Sequence, residues 1–194
     1  MGASRELCFL FVCAALLLGG VSARDKSRLF VEKGEEKKTG QCVCVFDFDE
    51  TLRVQNSTGW SVGSKDSREI VNKCRDLGYE VALASANCDT PKMKFVLPNH
   101  IDDDIFTDAW FESPAFQNCD PWKTNELNKL MDHFKTPAEC MMFFDDLKYN
   151  VEKHATEVGV HWVHVDPEHG VTWDDFWALH PYLEQTCDCI PRKV

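Results

Sequence analysis

Basic side chains are scarce in this 194-residue chain, where 21 lysines and arginines stand against 32 aspartates and glutamates for a formal net charge of -11. That balance argues against nucleic acid as a partner, because phosphate backbones are held by surplus positive charge. Beyond residue 23 no apolar run approaches the ~20 residues that a membrane-spanning helix needs. Pairs of C-x-x-C knuckles are missing, and His133, His154, His161, His164, His169 and His180 lack metal-ligand spacing, so a zinc site is disfavoured. Asp102, Asp103 and Asp104 beside His100 read as a solvated acidic loop rather than a second metal site. Internal repeats and low-complexity tracts are absent. What remains is 44% hydrophobic residues and length enough for one domain with a sizeable core.

Residues 1–23 differ from the rest. A polar start with Arg5 and Glu6 precedes the apolar run Leu7 to Leu18, and Val21-Ser22-Ala23 places small residues where signal peptidase cleaves. The segment is predicted to be a signal peptide that sends a secreted or lumenal protein, with no membrane partner after cleavage, into the secretory pathway. An uncleaved anchor is the weaker reading, because the run is short. Residues 24–40 are charged and aperiodic and are expected to form a flexible leader, with 41–186 as the folded domain and 187–194 as a cysteine-containing tail. Ten cysteines are present, of which Cys8 and Cys13 fall in the first segment. Cys42, Cys44, Cys74, Cys88, Cys119, Cys140, Cys187 and Cys189 suit disulfides in an oxidising compartment, with on the order of a hundred complete pairings possible. Cys42 and Cys44 alternate on a strand and read as buried thiols, whereas Cys187-Asp188-Cys189 reads as a staple. Asn56-Ser57-Thr58 is a glycosylation sequon, expected on a surface loop.

Short apolar runs alternate with helical spacing along the chain. Cys42 to Phe46 is a valine-rich strand of the kind buried on both faces, and Ser64 or Asp66 can cap a helix carrying Ile70, Val71, Cys74 and Leu77 that Gly78 closes. Tyr79 to Ala84 forms a second strand, and Thr90, as a cap, followed by Pro91 in the first turn opens a helix that Pro98 is expected to break. Ile105 to Trp110 reads as a third strand. After Asp120-Pro121 a helix carries Leu127, Leu130, Met131 and Phe134 on one face. Strand Met141 to Phe144, a helix over 150–158 stopped at Gly159, strand Val160 to Val165 and a helix capped by Thr172 complete the series. This order predicts an α/β fold with a doubly wound, Rossmann-like parallel sheet, whose ligands bind beyond the carboxyl ends of the strands. Asp47, Ser85 and Asp145-Asp146 all fall at such ends.

Asp47 and Asp49, spaced i, i+2 after a strand, allow one carboxylate to attack phosphorus while the other moves protons. Asp47-Phe48-Asp49-Glu50-Thr51-Leu52 resembles the D-x-D-x-T-[LV] signature of the haloacid dehalogenase-like superfamily. Three further elements follow in that superfamily's order: Val81-Ala82-Leu83-Ala84-Ser85, Lys123 after Asp120-Pro121, and Asp145-Asp146-Leu147-Lys148-Tyr149-Asn150 behind Met141 to Phe144. The resemblance spans roughly 42–180. It is closest in look to the small capless magnesium-dependent phosphatases, through Phe143-Phe144-Asp145-Asp146 and Trp173-Asp174-Asp175-Phe176-Trp177. The chain departs from that group in its first segment, in its cysteines and in Ser85-Ala86-Asn87, where an arginine is common after the serine.

The resemblance implies that Asp47 is a nucleophile, Asp49 a general acid and base, and Lys123 the cation that neutralises nucleophile and phosphate. Ser85, Ala86 and Asn87 would hold phosphate oxygens, with Thr51 supporting that binding by orienting the loop. Mg2+ would be held by the Asp47 carboxylate, the Asp49 carbonyl and Asp146, with Asp145 as supporting or alternate ligand. An acid two residues after the nucleophile favours phosphoryl chemistry over dehalogenation. Residues 50–84 and 86–122 leave little room for an inserted module, so a capless or minimally capped, open site is expected. The expected activity is magnesium-dependent phosphomonoester hydrolysis through an aspartyl-phosphate, on a phosphorylated small molecule or protein. The alternatives are an inactive secreted binding protein of the same fold, and a phosphotransferase or phosphomutase.

Overall fold

The computed structural model describes residues 36–190; the predicted signal peptide, with Cys8 and Cys13, lies outside them. Strand β1 (Lys38–Gly40) leads into β2 (Val43–Phe46), a hairpin of β3 (Arg53–Gln55) and β4 (Ser61–Gly63), helix α1 (Ser67–Asp76) and β5 (Glu80–Ser85). Then follow α2 (Thr90–Val96), α3 (Asp108–Phe111), β6 (Phe116–Asn118), α4 (Lys123–Phe134) and β7 (Met141–Asp145). A π-helical stretch, Asn150–Ala155, runs into α5 (Thr156–Val158), and β8 (His161–His164), α6 (Trp173–Thr186) and β9 (Cys187–Cys189) close the series.

Five strands form one parallel sheet in the order β6-β5-β2-β7-β8. The chain winds outward from β2 through β5 to β6, then returns to β2's other side for β7 and β8, so the winding reverses beside β2. Such a reversal opens a crevice at the carboxyl ends of the flanking strands. Alternation along β2 splits the core. Cys42, Cys44 and Phe46 pack with Ile70 and Val71 of α1 and Phe176 and Leu179 of α6. Val43 and Val45 face Leu127 and Leu130 of α4 and Val151. Helices on both faces bury β2 completely, which is why its sequence is continuously apolar.

Several elements differ from the sequence expectation. Ile105 to Trp110 is not a strand: Phe106 and Trp110 meet edge to face at 4.8 Å, and the edge strand is β6. Pro98 does not end its helix, because α2 widens into a π-helical turn, Leu97–Ile101, that takes the proline in its first positions. Asp89 rather than Thr90 caps α2, accepting from the Lys92 N–H at 3.1 Å. Lys38–Gly40, placed by the sequence reading in the leader, pair in parallel with Cys187–Cys189.

Cys42 and Cys44 are not thiols. The cysteines form Cys42–Cys189, Cys44–Cys74, Cys88–Cys119 and Cys140–Cys187, so the tail cysteines join the sheet end rather than each other. Cys44–Cys74 fastens β2 to α1, and two of the others fasten β9 beneath β2 and β7. Between β2 and α1 the chain inserts nothing larger than the β3–β4 hairpin. The sequon occupies its exposed turn, where Asn56 Oδ1 accepts from the Thr58 hydroxyl at 2.7 Å. Among the described residues no helix is long and apolar enough to cross a membrane.

Candidate active site

The Asp47 N–H donates to the Phe144 carbonyl at 2.9 Å, pinning the end of β2 against β7 at the winding reversal. One carboxylate oxygen each of Asp47, Asp145 and Asp146 thereby lie within 4.8 Å of one another. Three anions this close need compensating charge. Lys123, the first residue of α4, supplies part of it from a fully buried position. Its Nζ donates to Asp47 Oδ1 at 2.7 Å and to the Ala84 carbonyl, and stands 3.5 Å from Asp145 and 3.6 Å from Glu126. Burial alone would lower its pKa, but the Asp47, Asp145 and Glu126 carboxylates outweigh burial and raise it above the ordinary lysine value.

The carboxyls also shift upward, and for them burial is the main cause. Burial, then the Asp47 charge, pushes Asp145 up to about 7, against the pull of Lys123, the Leu147 N–H at 2.8 Å and Asn150 Nδ2 at 3.0 Å from both oxygens. Asp146, half-buried, is pushed up to about 6 by burial and by Asp47. Glu126 reaches about 8, chiefly through burial, with Lys123 opposing. The all-oxygen cluster of Asp47, Asp145 and Asp146 fits a small hard divalent cation, whose charge would reverse this mutual penalty.

Asp49 lies on the turn after β2, where Glu50 adopts a left-handed backbone with φ 57° and the Arg53 N–H returns to the Phe48 carbonyl at 2.9 Å. Arg53 Nη1 and Lys92 Nζ stand 2.9 and 3.5 Å from Asp49 Oδ1, and Asn87 donates its side-chain amide to Oδ2. Ser85 is buried at the end of β5, its hydroxyl accepting from the Asn87 N–H at 3.3 Å. The Asn87 carbonyl accepts from the Cys119 N–H at 3.2 Å, beside the Cys88–Cys119 disulfide.

A cleft of about 250 Å3 gathers these groups, lined by Asp47, Asp49, Ser85, Ala86, Asn87, Lys123 and Asp146, with Glu50, Leu147 and Asn150. Thr51, expected to support substrate binding, is fully buried and does not line it. Its carbonyl accepts from the Ser64 hydroxyl at 3.0 Å and the Val171 N–H at 2.9 Å, an approach that glycine at position 170 makes possible. A larger cavity of about 360 Å3 beside Arg75, Tyr79 and Trp110 is lined by none of the predicted site residues.

No family profile matches the chain, and no curated protein sequence matches it. Solved structures similar to it include an uncharacterized protein from Listeria monocytogenes serotype 4b, 19% identical with a TM-score of 0.47, covering 68% of this chain and 83% of that one. A hypothetical protein from Xanthomonas campestris is 14% identical with a TM-score of 0.44, covering 77% and 71%. A proposed 3-deoxy-D-manno-octulosonate 8-phosphate phosphatase from Vibrio cholerae is 10% identical with a TM-score of 0.45, covering 79% and 76%. The chemistry of the cleft therefore rests on its own residues.

Glu126, Arg53 and Lys92 had no assigned part in the sequence reading. Helical i, i+3 spacing from Lys123 marks Glu126, and Arg53 lies four residues after Asp49, but only the folded chain brings Lys92 to the same carboxylate.

Proposed function

We propose that this chain is a metal-dependent phosphomonoester hydrolase that works through an aspartyl-phosphate on Asp47. The observation that carries the reading is the meeting of Asp47 and Asp146 with the buried Lys123 ammonium in one cleft at the carboxyl edge of the sheet, with the buried Asp145 carboxylate beside them. In the first step an Asp47 oxygen bonds to phosphorus as the bond to the leaving oxygen breaks, and Asp49 gives that oxygen its proton. Water then attacks phosphorus while Asp49 takes a proton from it, and the bond to Asp47 breaks to release inorganic phosphate. The Ser85 hydroxyl and the loop amides of Ala86 and Asn87 receive phosphate oxygens, and Lys123 Nζ stabilises the charge that gathers between Asp47 and phosphorus.

Magnesium is the cation of this reading, held by the Asp47 carboxylate, the Asp49 carbonyl and Asp146. Asn150 occupies both Asp145 oxygens, which supports giving Asp145 the supporting role. When bound, the ion offsets the charge of Asp47 and of the phosphate. The cleft is flanked by a short hairpin and not by an inserted domain, which supports phosphorylated small molecules or protein side chains as substrates. Four disulfides support a secreted or lumenal location, with Asn56 as a glycosylation site. The net charge of -11 supports leaving nucleic acid out, and the reading includes no membrane partner.

The expected outcome is aryl phosphate hydrolysis that requires magnesium, stops with chelator and falls on the order of 10^4-fold in Asp47→Asn. Turnover that survives this substitution would refute the mechanism.

A further inference from the structure

Asp49 meets more positive charge than one carboxylate can match. Arg53 Nη1 and Lys92 Nζ approach the same oxygen at 2.9 and 3.5 Å, and Asn87 donates to the other. The two cations differ in freedom. Arg53 is buried, with its Nε donating to the Ser61 hydroxyl at 3.0 Å, so the hairpin fixes it. Lys92 sits at the start of α2 with its ammonium 6.0 Å from the Phe48 ring centre and its side chain partly exposed. If Lys92 moves away, Asp49 keeps Arg53 and Asn87 and is not left unpaired. Asp49 lines the cleft, so the partly exposed Lys92 ammonium, 3.5 Å from its carboxylate, stands beside the cleft, where the loop Ser85-Ala86-Asn87 contributes only neutral groups.

We propose that Lys92 recognises a second anionic group of the substrate, a carboxylate or a further phosphate, lying beyond the phosphoester that Asp47 attacks. The inference rests on the phosphomonoester reading above and narrows it to substrates carrying two anionic functions. On binding, the flexible lysine exchanges its 3.5 Å ion pair with Asp49 for the incoming anion, while Arg53 holds Asp49 in place for proton transfer. An ammonium on a flexible stem suits this role, since it meets an anion as a point charge without a fixed geometry.

Matched compounds test it. 3-Phosphoglycerate and glycerol 3-phosphate differ by a carboxylate in place of a hydroxymethyl group, and glycerol 1,3-bisphosphate supplies the phosphate arm. kcat/KM is measured with magnesium, and binding to Asp47→Asn protein is measured by calorimetry, which needs no turnover. The parent is expected to favour at least one doubly anionic compound by about tenfold or more, and the preference to weaken as salt rises. Lys92→Gln should abolish the preference and Lys92→Arg should keep most of it, with thermal midpoints near the parent's; a preference in one arm only assigns that anion. Absence of any preference in the parent overturns the proposal. So does a Lys92→Gln protein that weakens both members of a pair by the same factor, since Lys92 would then serve Asp49 or the attacked phosphate. Discrimination in binding without aryl phosphate hydrolysis would remove the phosphatase reading and leave this site standing.

Discussion

Glu126 lies one helical turn after Lys123, its carboxylate fully buried and 3.6 Å from the ammonium. Its pKa rises to about 8 from an ordinary 4.5, with burial the main cause. Between those values the folded chain keeps a proton that the unfolded chain has released, so this group's contribution to stability falls as pH rises from about 4.5 through 8. Glu126→Gln removes that titration. The variant's midpoint should decline less than the parent's between pH 5 and pH 8, and at pH 8 the variant should be the more stable protein, by an amount on the order of a few kcal/mol. Thermal unfolding across a pH series decides the matter, and parallel curves would contradict it. Residues of the site were legible in the sequence in proportion to their place at strand ends: Asp47, Ser85 and Asp145-Asp146 follow apolar runs. Glu126 and Lys92 were not, because an acid or a lysine on an amphipathic helix ordinarily faces water, and their burial or pairing depends on which chain segments the sheet brings together.

At the scale of elements, the loops after β5 and β6 are joined by Cys88–Cys119, whose two residues are both exposed, in contrast to the buried Cys44–Cys74 pair. Cys119 holds a left-handed backbone with φ 63° while its N–H reaches the Asn87 carbonyl. The bond thus fixes the loop that carries Ser85 and Asn87. Replacing both cysteines with serine should cost about 4 kcal/mol of loop-closure entropy at this separation. It should also lower kcat/KM by roughly tenfold through loosened positioning, assayed well below the variant's midpoint. Unchanged kinetics would show that the loop keeps its shape without the bond. The strands β2, β5, β7 and β8 and the helices α1, α4 and α6 were legible because their periodicity is sustained. The rest turned on tertiary contacts. Phe106 and Trp110 resemble a strand in composition but bury as a ring cluster, the β3–β4 hairpin lacks apolar alternation, and β1 and β9 are too short to announce themselves without their disulfides.

Over the described molecule two of the disulfide ties stand at the end of the sheet opposite the candidate site. Cys42–Cys189 and Cys140–Cys187 hold β9 near the amino ends of β2 and β7, whereas Asp47 and Asp145-Asp146 stand at their carboxyl ends. Cys42–Cys189 spans a sequence separation of 147, so in the unfolded chain it closes most of the domain into one loop. Closure at that length is worth about 5 kcal/mol. For a domain of this size that corresponds to a fall in midpoint of about 10 °C or more. Both cysteines must be replaced in the test. Removing Cys189 alone would leave a Cys42 thiol whose sulfur lies 3.6 Å from that of Cys187, placed to exchange into the neighbouring disulfide. Cys42→Ala with Cys189→Ala should therefore unfold about 10 °C or more below the parent by calorimetry. At 25 °C it should retain aryl phosphate turnover within about threefold, because the severed tie does not touch the cleft. A midpoint shift below about 3 °C would show that the remaining disulfides and residual structure already restrict the unfolded chain. Lost turnover at 25 °C in a folded variant would show that the two ends of β2 are coupled, and that the separation between stability and chemistry in this fold is only apparent.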